Sequence, residues 1–156
     1  MTTHSKWHGK QCPVCFKGTL ADGVRDEEVT YQGAVFKWHE HGAYCNVCND
    51  GIVEGNVDHD TAFAAFRETV DARVAADMET IRVQLRLSKT DMTHLVGGGK
   101  NGYGRYISRQ TTPTPAVWNL VRALQAHPDL VEQLKKPFME VDADDLPVQQ
   151  AYRASA

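Results

Sequence analysis

Residues 12–15 read Cys-Pro-Val-Cys and residues 45–48 read Cys-Asn-Val-Cys, and these two segments contain all four cysteines of the chain. Two residues between cysteines allow a tight turn to direct both sulfur atoms towards one point. Two such turns can supply four thiolates to a tetrahedral site, which suits Zn²⁺ because that ion is redox-inert and imposes no geometry of its own. The spacing therefore predicts one structural zinc ion, with these ligands: Cys12, Cys15, Cys45 and Cys48.

Other uses of these cysteines are less favoured. Disulfides need an oxidising compartment, and the first residues lack the apolar stretch of an export signal. A thioredoxin-like centre uses a single pair in a βαβ context, which the sequence does not show. A closed four-thiolate site has no open position for a substrate, which argues against a zinc-dependent hydrolase or nuclease. Four nearby histidines could compete as ligands, but we expect them at the surface: His4, His8, His39 and His41.

The sequence between the two cysteine pairs is typical of β-strands. Residues 29–32 and 34–38 flank Gly33 and are rich in β-branched and aromatic side chains. A sheet of this size buries too little core to be stable alone, so the metal would supply much of its folding energy. We predict a zinc-ribbon-like β domain over residues 1–57. Five acids give it a negative face, either solvated or a docking surface for a basic partner: Asp22, Asp26, Glu27, Glu28 and Glu40.

The pattern becomes helical after Gly55. Apolar residues spaced by three and four predict a connecting helix over residues 58–76, with a break near residues 75–77. Residues 77–136 are predicted to form a helix-turn-helix domain. Residues 137–156 have no helical period and several acids, so we expect a poorly ordered tail.

Two short helices joined by a glycine turn are the centre of the helical half. Ser88, with Asp91 three residues later, is a capping-box-like start for a helix over residues 89–96. The triplet at 97–99 is Gly-Gly-Gly, which supplies the left-handed conformation of a tight turn. A third helix is predicted from about Lys100 to Ser108, and later helices, with Trp118 to one side of their apolar stripe, complete the core. This order is helix-turn-helix topology.

The third helix is the expected recognition helix. Asn101 and Arg105 lie one turn apart, and in the major groove Asn can bond adenine and Arg can bond guanine. Gly102 and Gly104 either make the helix marginal until DNA binds or permit a close approach to DNA, and the sequence leaves both open. Contacts to the DNA backbone are expected from four neighbouring residues: Lys89, Lys100, Ser108 and Arg109.

The distribution of charge supports a nucleic-acid partner, although the total charge does not. The 156 residues carry 17 basic and 20 acidic side chains, a net charge of −3. Residues 1–66 hold 5 basic and 9 acidic residues, whereas residues 97–127 hold 4 basic residues and no acid. Between Asp91 and Asp129 no carboxylate side chain occurs, and an acid facing the DNA backbone would be repelled. No apolar run approaches the roughly 20 residues of a membrane helix, so we expect a cytoplasmic protein without a membrane partner.

Together these motifs resemble the MqsA (YgiT-type) antitoxin family over about residues 11–134. The resemblance rests on the first cysteine pair, on HGAYCNVC at 41–48, on GGGKNGYGRY at 97–106, and on Pro113 and LVRAL at 120–124. It implies the antitoxin of a bacterial type II toxin–antitoxin system, which is a non-enzymatic protein. Its N-terminal zinc domain would bind and neutralise an mRNA-cleaving toxin. Its Xre-type C-terminal domain would form a homodimer and repress transcription at a palindromic operator.

The resemblance also implies residue roles, with the zinc ligands on the four cysteines and the base-reading residues on Asn101 and Arg105. The chain departs from the family pattern at Met92 (commonly Ala), at Ile107 (commonly Glu) and at Asn49-Asp50 after the second pair. The first ten residues and the last twenty or so are additional. The expected fold class is α+β, a small zinc-ribbon-like β domain followed by an all-α Xre/Cro-like domain. The alternative function is a stand-alone zinc-containing helix-turn-helix regulator without a toxin partner.

Overall fold

The computed structural model describes residues 4–53 and 57–146, and within them an antiparallel sheet is followed by helices, which confirms the α+β class. In the sheet the second strand of the chain lies between the first and the third. The strands are β1 (Leu20–Tyr31), β2 (Ala34–Cys45) and β3 (Gly51–Ile52). The helices are α1 (Val57–Gln84), α2 (Lys89–Val96), α3 (Gly102–Ile107), α4 (Pro115–Ala126) and α5 (Leu130–Leu134).

The β1–β2 hairpin is much longer than the apolar pattern predicts. Pairing runs without a gap from Leu20 opposite Cys45 to Tyr31 opposite Ala34. Positive φ angles at residues 32 and 33, 51° and 81°, match the tight turns that suit the right-handed twist of a hairpin. The hairpin residues outside the predicted segments, 20–28 and 39–45, are mostly charged residues, glycine and alanine, which are depleted in strands, so β-propensity indicates strands only near the tip.

Helix α1 is continuous through residues 75–77, so the predicted break there is wrong. Ala75 and Ala76 are strong helix formers. Asp77 accepts from the guanidinium of Arg73 at 2.8 Å, a pair one turn apart that supports the helix. The predicted boundary between residues 76 and 77 therefore falls inside one 28-residue helix.

The helical core draws on α1 to α5. Tyr103 of α3 is fully buried, and its hydroxyl donates to the backbone carbonyl of Met78 at 2.8 Å. Trp118 is buried, contrary to its predicted place at one side, because the buried face of α4 is centred on Trp118, Val121 and Leu124. The buried members are Val70, Val74, Met78, Ile81, Leu87, Met92, Tyr103, Trp118, Val121, Leu124 and Val131.

An aromatic cluster packs the hairpin against the first turns of α1. The ring centroid of Phe36 lies 5.6 Å from that of Trp38 on the same strand. Across the interface, Phe36 is 5.5 Å from Phe63 and 5.2 Å from Phe66, and Trp38 is 4.5 Å from His59. Aromatic pairs at these distances contribute stabilisation beyond the area they bury.

The tip of the hairpin contacts the helical half directly. The hydroxyl of Tyr31 donates to the carboxylate of Asp71 on α1 at 2.8 Å. The side-chain amide of Gln32 donates to the backbone carbonyl of Pro113, just before α4, at 2.6 Å. The β domain and the helical half are thus joined by side-chain contacts as well as by the chain itself.

The C-terminal segment has little regular structure where the structure describes it. A single 3₁₀ turn covers Ala143–Asp145, and Phe138 is fully exposed. The rest of the tail for which poor order is predicted, residues 147–156, lies outside the described residues. No helix among residues 4–53 and 57–146 combines the length and apolarity needed to cross a bilayer.

Candidate metal centre and nucleic-acid interface

The two cysteine pairs converge at the base of the hairpin. The Sγ atom of Cys12 lies 3.7 Å from that of Cys48, and the Sγ atom of Cys15 lies 3.6 Å from that of Cys45. All four thiols are free, and the four sulfur atoms lie within 4.8 Å of one another. Four sulfurs at about 2.3 Å from a tetrahedral zinc ion would be about 3.8 Å apart. The donor set can therefore hold a metal ion and fits four-thiolate coordination.

Each cysteine pair is held in a turn of the same construction. The residue four positions after the first cysteine has a positive φ in both turns, 55° at Phe16 and 62° at Asn49. The N–H of Cys12 donates to the carbonyl of Gly18 at 2.8 Å, and the N–H of Cys45 donates to the carbonyl of Asp50 at 2.7 Å. Asparagine tolerates the left-handed conformation, so the departure from the family pattern at Asn49 is compatible with this turn.

Gly18 and Asn46 bring the two turns together. A Cβ atom at Gly18 would overlap the sulfur of Cys45, so this position requires glycine for close approach. The side-chain carbonyl of Asn46 accepts from the N–H of Thr19 at 2.9 Å. The arrangement of the sulfurs is therefore built into the backbone of both turns.

Backbone donors favour the thiolate form of two ligands. The N–H groups of its own turn, chiefly that of Lys17, lower the pKa of Cys15 to about 6. The corresponding N–H groups, chiefly that of Cys48, lower the pKa of Cys45. At Cys48 the N–H of Asp50 acts in the same direction, but desolvation and the neighbouring thiols outweigh it and raise the pKa. A cation among the sulfurs would stabilise all four thiolates, which are the metal-binding form.

Helix α2 begins with the capping box that the sequence predicts. The hydroxyl of Ser88 accepts from the N–H of Asp91 at 3.0 Å, and the carboxylate of Asp91 accepts from the N–H of Ser88 at 3.0 Å. The hydrogen bond from the Ser88 hydroxyl also lowers the pKa of Asp91. The local sequence therefore determines where α2 begins and places Lys89 at its first residue.

The glycine turn after α2 has the left-handed conformation expected of it. The φ angles at residues 97, 98 and 99 are 76°, 98° and 70°. A Cβ atom at Gly102 would lie 3.2 Å from the carbonyl oxygen of Gly97, so glycine there permits α3 to pack closely on α2. The space around Gly104 is open, so nothing in the fold requires glycine there, and its lack of a side chain keeps the surface clear.

Helix α3 is shorter than the predicted span of Lys100 to Ser108. It covers Gly102–Ile107, because Asn101 continues the left-handed turn with a φ of 61° and Ser108 is already the C-cap. Lys100 and Asn101 therefore lie on the turn in front of α3, not on its first turn. Both are exposed, and so is Arg105, whose guanidinium donates to the carbonyl of Gly98 at 3.1 Å.

A groove of about 730 Å³ separates α2 from the start of α3. Three of the predicted DNA contacts, Lys89, Lys100 and Asn101, line it together. Among the described residues its lining has two lysines and no acid: Lys89, Thr90, Thr93, His94, Gly97, Gly99, Lys100, Asn101 and Gly104. The groove can therefore accept a polyanion without like-charge repulsion from its walls.

Arg109, the fourth predicted contact to the DNA backbone besides Lys89, Lys100 and Ser108, does not line this groove. Its guanidinium forms an ion pair with Glu68 of α1, and that hydrogen bond raises the pKa of Arg109. The side chain is thereby directed towards α1. Glu68 lies 41 residues earlier, in α1, whereas Arg109 lies on the turn after α3, and no local pattern marks the two as neighbours.

The five acids that the sequence assigns to one negative face lie on two faces of the hairpin. Residues paired across an antiparallel hairpin share a face and alternate along each strand. Asp22, Asp26 and Glu28 are therefore on one side, and Glu27 and Glu40 are on the other. On the first side Glu28 is 3.5 Å from Lys37 and Asp26 is 2.6 Å from His39. The predicted single acidic surface is wrong.

These features define a class of protein in which a four-thiol β domain is joined through a long helix to a helix-turn-helix unit. Residues 10–135 match a family model described as the antitoxin component of a bacterial toxin–antitoxin system, MqsA. The chain is 33% identical over 133 residues to Antitoxin MqsA of Escherichia coli (strain K12), an alignment that covers 80% of this chain and 99% of that relative. The chain therefore belongs to the MqsA antitoxin family. The resemblance is confirmed, and the protein is a non-enzymatic antitoxin whose family implies a toxin partner.

Removal of bound metal should unfold the β domain before the helical core. The cysteine turns close the hairpin base, whereas the core of α1 to α5 contains no metal ligand. Hydrogen exchange measured with and without a chelator should become about tenfold faster or more over residues 12–50 and change little in α2 and α4.

The variant Cys45→Ser should reproduce this pattern in the presence of zinc. The matched control is Val14→Ser, which changes an exposed residue of the first cysteine turn without removing a ligand. Unchanged exchange over residues 12–50 after chelation, or equal loss of protection in the helical core, would contradict the assignment.

Proposed function

We propose that this chain is the antitoxin of a type II toxin–antitoxin system and also the repressor of its own operon. In this proposal α2, α3 and the turn between them bind a palindromic operator, and the helical half forms a homodimer. The N-terminal domain, stabilised by one zinc ion, binds and neutralises an mRNA-cleaving toxin. Family membership supports the antitoxin role and the existence of a toxin.

The observation that carries the DNA-binding role is the acid-free groove with exposed Asn101 and Arg105 beside it. Asparagine and arginine can each form two hydrogen bonds with one base, adenine and guanine respectively. Lys89 and Lys100 on the walls of the groove suit phosphates on either side. Ser108, exposed at the end of α3, is a further candidate for a backbone contact.

Zinc is the ion that best suits the centre. Four thiolates at tetrahedral spacing favour a soft or borderline metal ion. Zinc is such an ion, and it is redox-inert. The site is closed, so its role is to hold the β domain together and not to activate a substrate. A stand-alone regulator would share the zinc centre and the DNA-binding face, and would differ only in having no toxin.

Replacing Arg105 tests the recognition surface. Arg105→Ala should weaken binding to the DNA upstream of its own gene by roughly 5- to 150-fold, which corresponds to the about 1–3 kcal/mol of one bidentate base contact. Specificity should relax at one base position in each half-site, as measured by fluorescence anisotropy with single-substitution operators. The control, Arg86→Ala, removes the same charge at an exposed site on another surface. Equal affinities of Arg105→Ala and wild type would exclude this recognition surface.

Replacing Glu68 tests the phosphate role of Arg109. Because Arg109 is paired with Glu68, it must give up the Glu68 carboxylate in order to contact a DNA phosphate. Glu68→Gln should therefore tighten DNA binding several-fold and Arg109→Gln should weaken it, with the slope of log affinity against log salt smaller by about one for Arg109→Gln. The control is Glu132→Gln, which breaks a comparable exposed pair with Lys135 on α5. If neither Glu68→Gln nor Arg109→Gln changes affinity or salt slope, Arg109 is not a phosphate contact.

A further inference from the structure

Two histidines of the N-terminal segment converge on one carboxylate of the sheet. The Nδ1 atoms of His4 and His8 lie 3.0 Å and 3.3 Å from the same oxygen, Oδ2 of Asp22 on β1. The two imidazole rings stack with their centroids 4.0 Å apart. One donor atom from each of the three residues lies within 4.8 Å of the other two, so a single ion could contact all three.

The backbone places this segment beside the sheet. The N–H of Gly9 donates to the carbonyl of Leu20 at 2.8 Å, and the N–H of Leu20 donates to the carbonyl of Lys10 at 2.8 Å. Trp7 packs against the small core next to the cysteine centre. Backbone hydrogen bonds and the packing of Trp7 therefore hold the two histidines near the start of β1. In addition, Nδ1 of His8 accepts from the N–H of Asp22 at 3.2 Å.

The region matched by the family model does not include the two histidines. The family match begins at residue 10, so His4 and His8 precede it, and the four-thiol centre does not use them. We propose that His4, His8 and Asp22 form a second metal site, distinct from the cysteine centre, that takes a divalent transition-metal ion such as Zn²⁺.

The donor chemistry suits that class of ion. Imidazole nitrogens and a carboxylate oxygen are ligands that zinc, nickel and copper accept. The hydroxyl of Ser5 donates to the other oxygen of Asp22, at 2.5 Å, and is the main cause that lowers the pKa of this carboxyl to about 2. The bond from Ser5 to Asp22 is the kind of outer hydrogen bond that orients a metal-binding carboxylate.

The surroundings leave room for a fourth ligand. His4, Asp22 and His41 line one cavity of about 330 Å³ on this side of the sheet. A three-ligand set with space beside it suits a fourth position filled by water or by a further imidazole. Metal binding here would attach the N-terminal segment to β1 and β2.

The sheet itself provides a matched comparison. His39 and Asp26 form a histidine–carboxylate pair, 2.6 Å apart, on the same face of the hairpin. No third histidine, cysteine or carboxylate groups with them among the described residues, so this pair should not hold an ion. A variant at His39 therefore controls for the loss of a surface imidazole.

The test is the zinc content of the full chain after equilibrium dialysis against Zn²⁺ at neutral pH. We expect about two ions per chain for wild type and for His39→Ala, and about one for the double variant His4→Ala/His8→Ala. Asp22→Asn should weaken the second ion about tenfold or more. Substitution with Co²⁺ checks folding, because the intense thiolate-to-cobalt absorption of the cysteine centre should be the same in every variant.

One zinc ion per chain in wild type would overturn the proposal. So would a double variant that retains two ions while its thiolate–cobalt spectrum is intact. Because the experiment involves neither DNA nor toxin, its failure would not affect the proposed repressor and antitoxin roles.

Discussion

The convergence of four sulfur atoms at the base of the hairpin is the constraint on which the rest of the β domain depends. Two strands of 12 residues, a length of about 40 Å, leave this point as a pair. At the far end the tip is attached to the helices through Tyr31 and Gln32, and between the two ends Phe36 and Trp38 pack on α1. One end of the hairpin is therefore fixed at the four-thiol centre, and the other end contacts the helices. A metal ion bound at this centre would hold the first end in place, and its loss would release that end.

The helical half exposes basic and polar groups around a groove whose described lining contains no acid. Local sequence signals position most of these groups. The capping box defines the start of α2, and three glycines form the turn that leads into α3. Tertiary structure modifies the result. Glu68 reaches Arg109 from α1, so the 37-residue interval without acids in the sequence does not become a surface wholly without acids. Positive charge remains available at the groove, which Lys89 and Lys100 line, and beside it on exposed Arg105.

What the sequence predicts well are features set by neighbouring residues. The cysteine spacing, the Ser88–Asp91 capping box and the glycine turn each depend on a few consecutive residues. The errors arise where residues distant in the sequence determine the structure. Cross-strand pairing extends the hairpin through residues of low β-propensity, the rotation of α4 in the core buries Trp118, and an ion pair with Glu68 of α1 orients Arg109. The break predicted near residues 75–77 does not occur, because the two alanines there favour helix. The convergence of His4 and His8 on Asp22 has no local signal beyond an abundance of histidine.

In the proposed function one chain carries two separable roles, toxin neutralisation in the zinc-stabilised β domain and DNA recognition beside α3. Growth of cells that express the neighbouring toxin gene, with wild type or a variant of this chain supplied in trans, tests it most directly. We predict that wild type and Arg105→Ala restore growth equally, since DNA recognition is not needed to bind a toxin, and that Cys45→Ser does not. Failure of wild type to restore growth, or equal rescue by Cys45→Ser, would contradict the account.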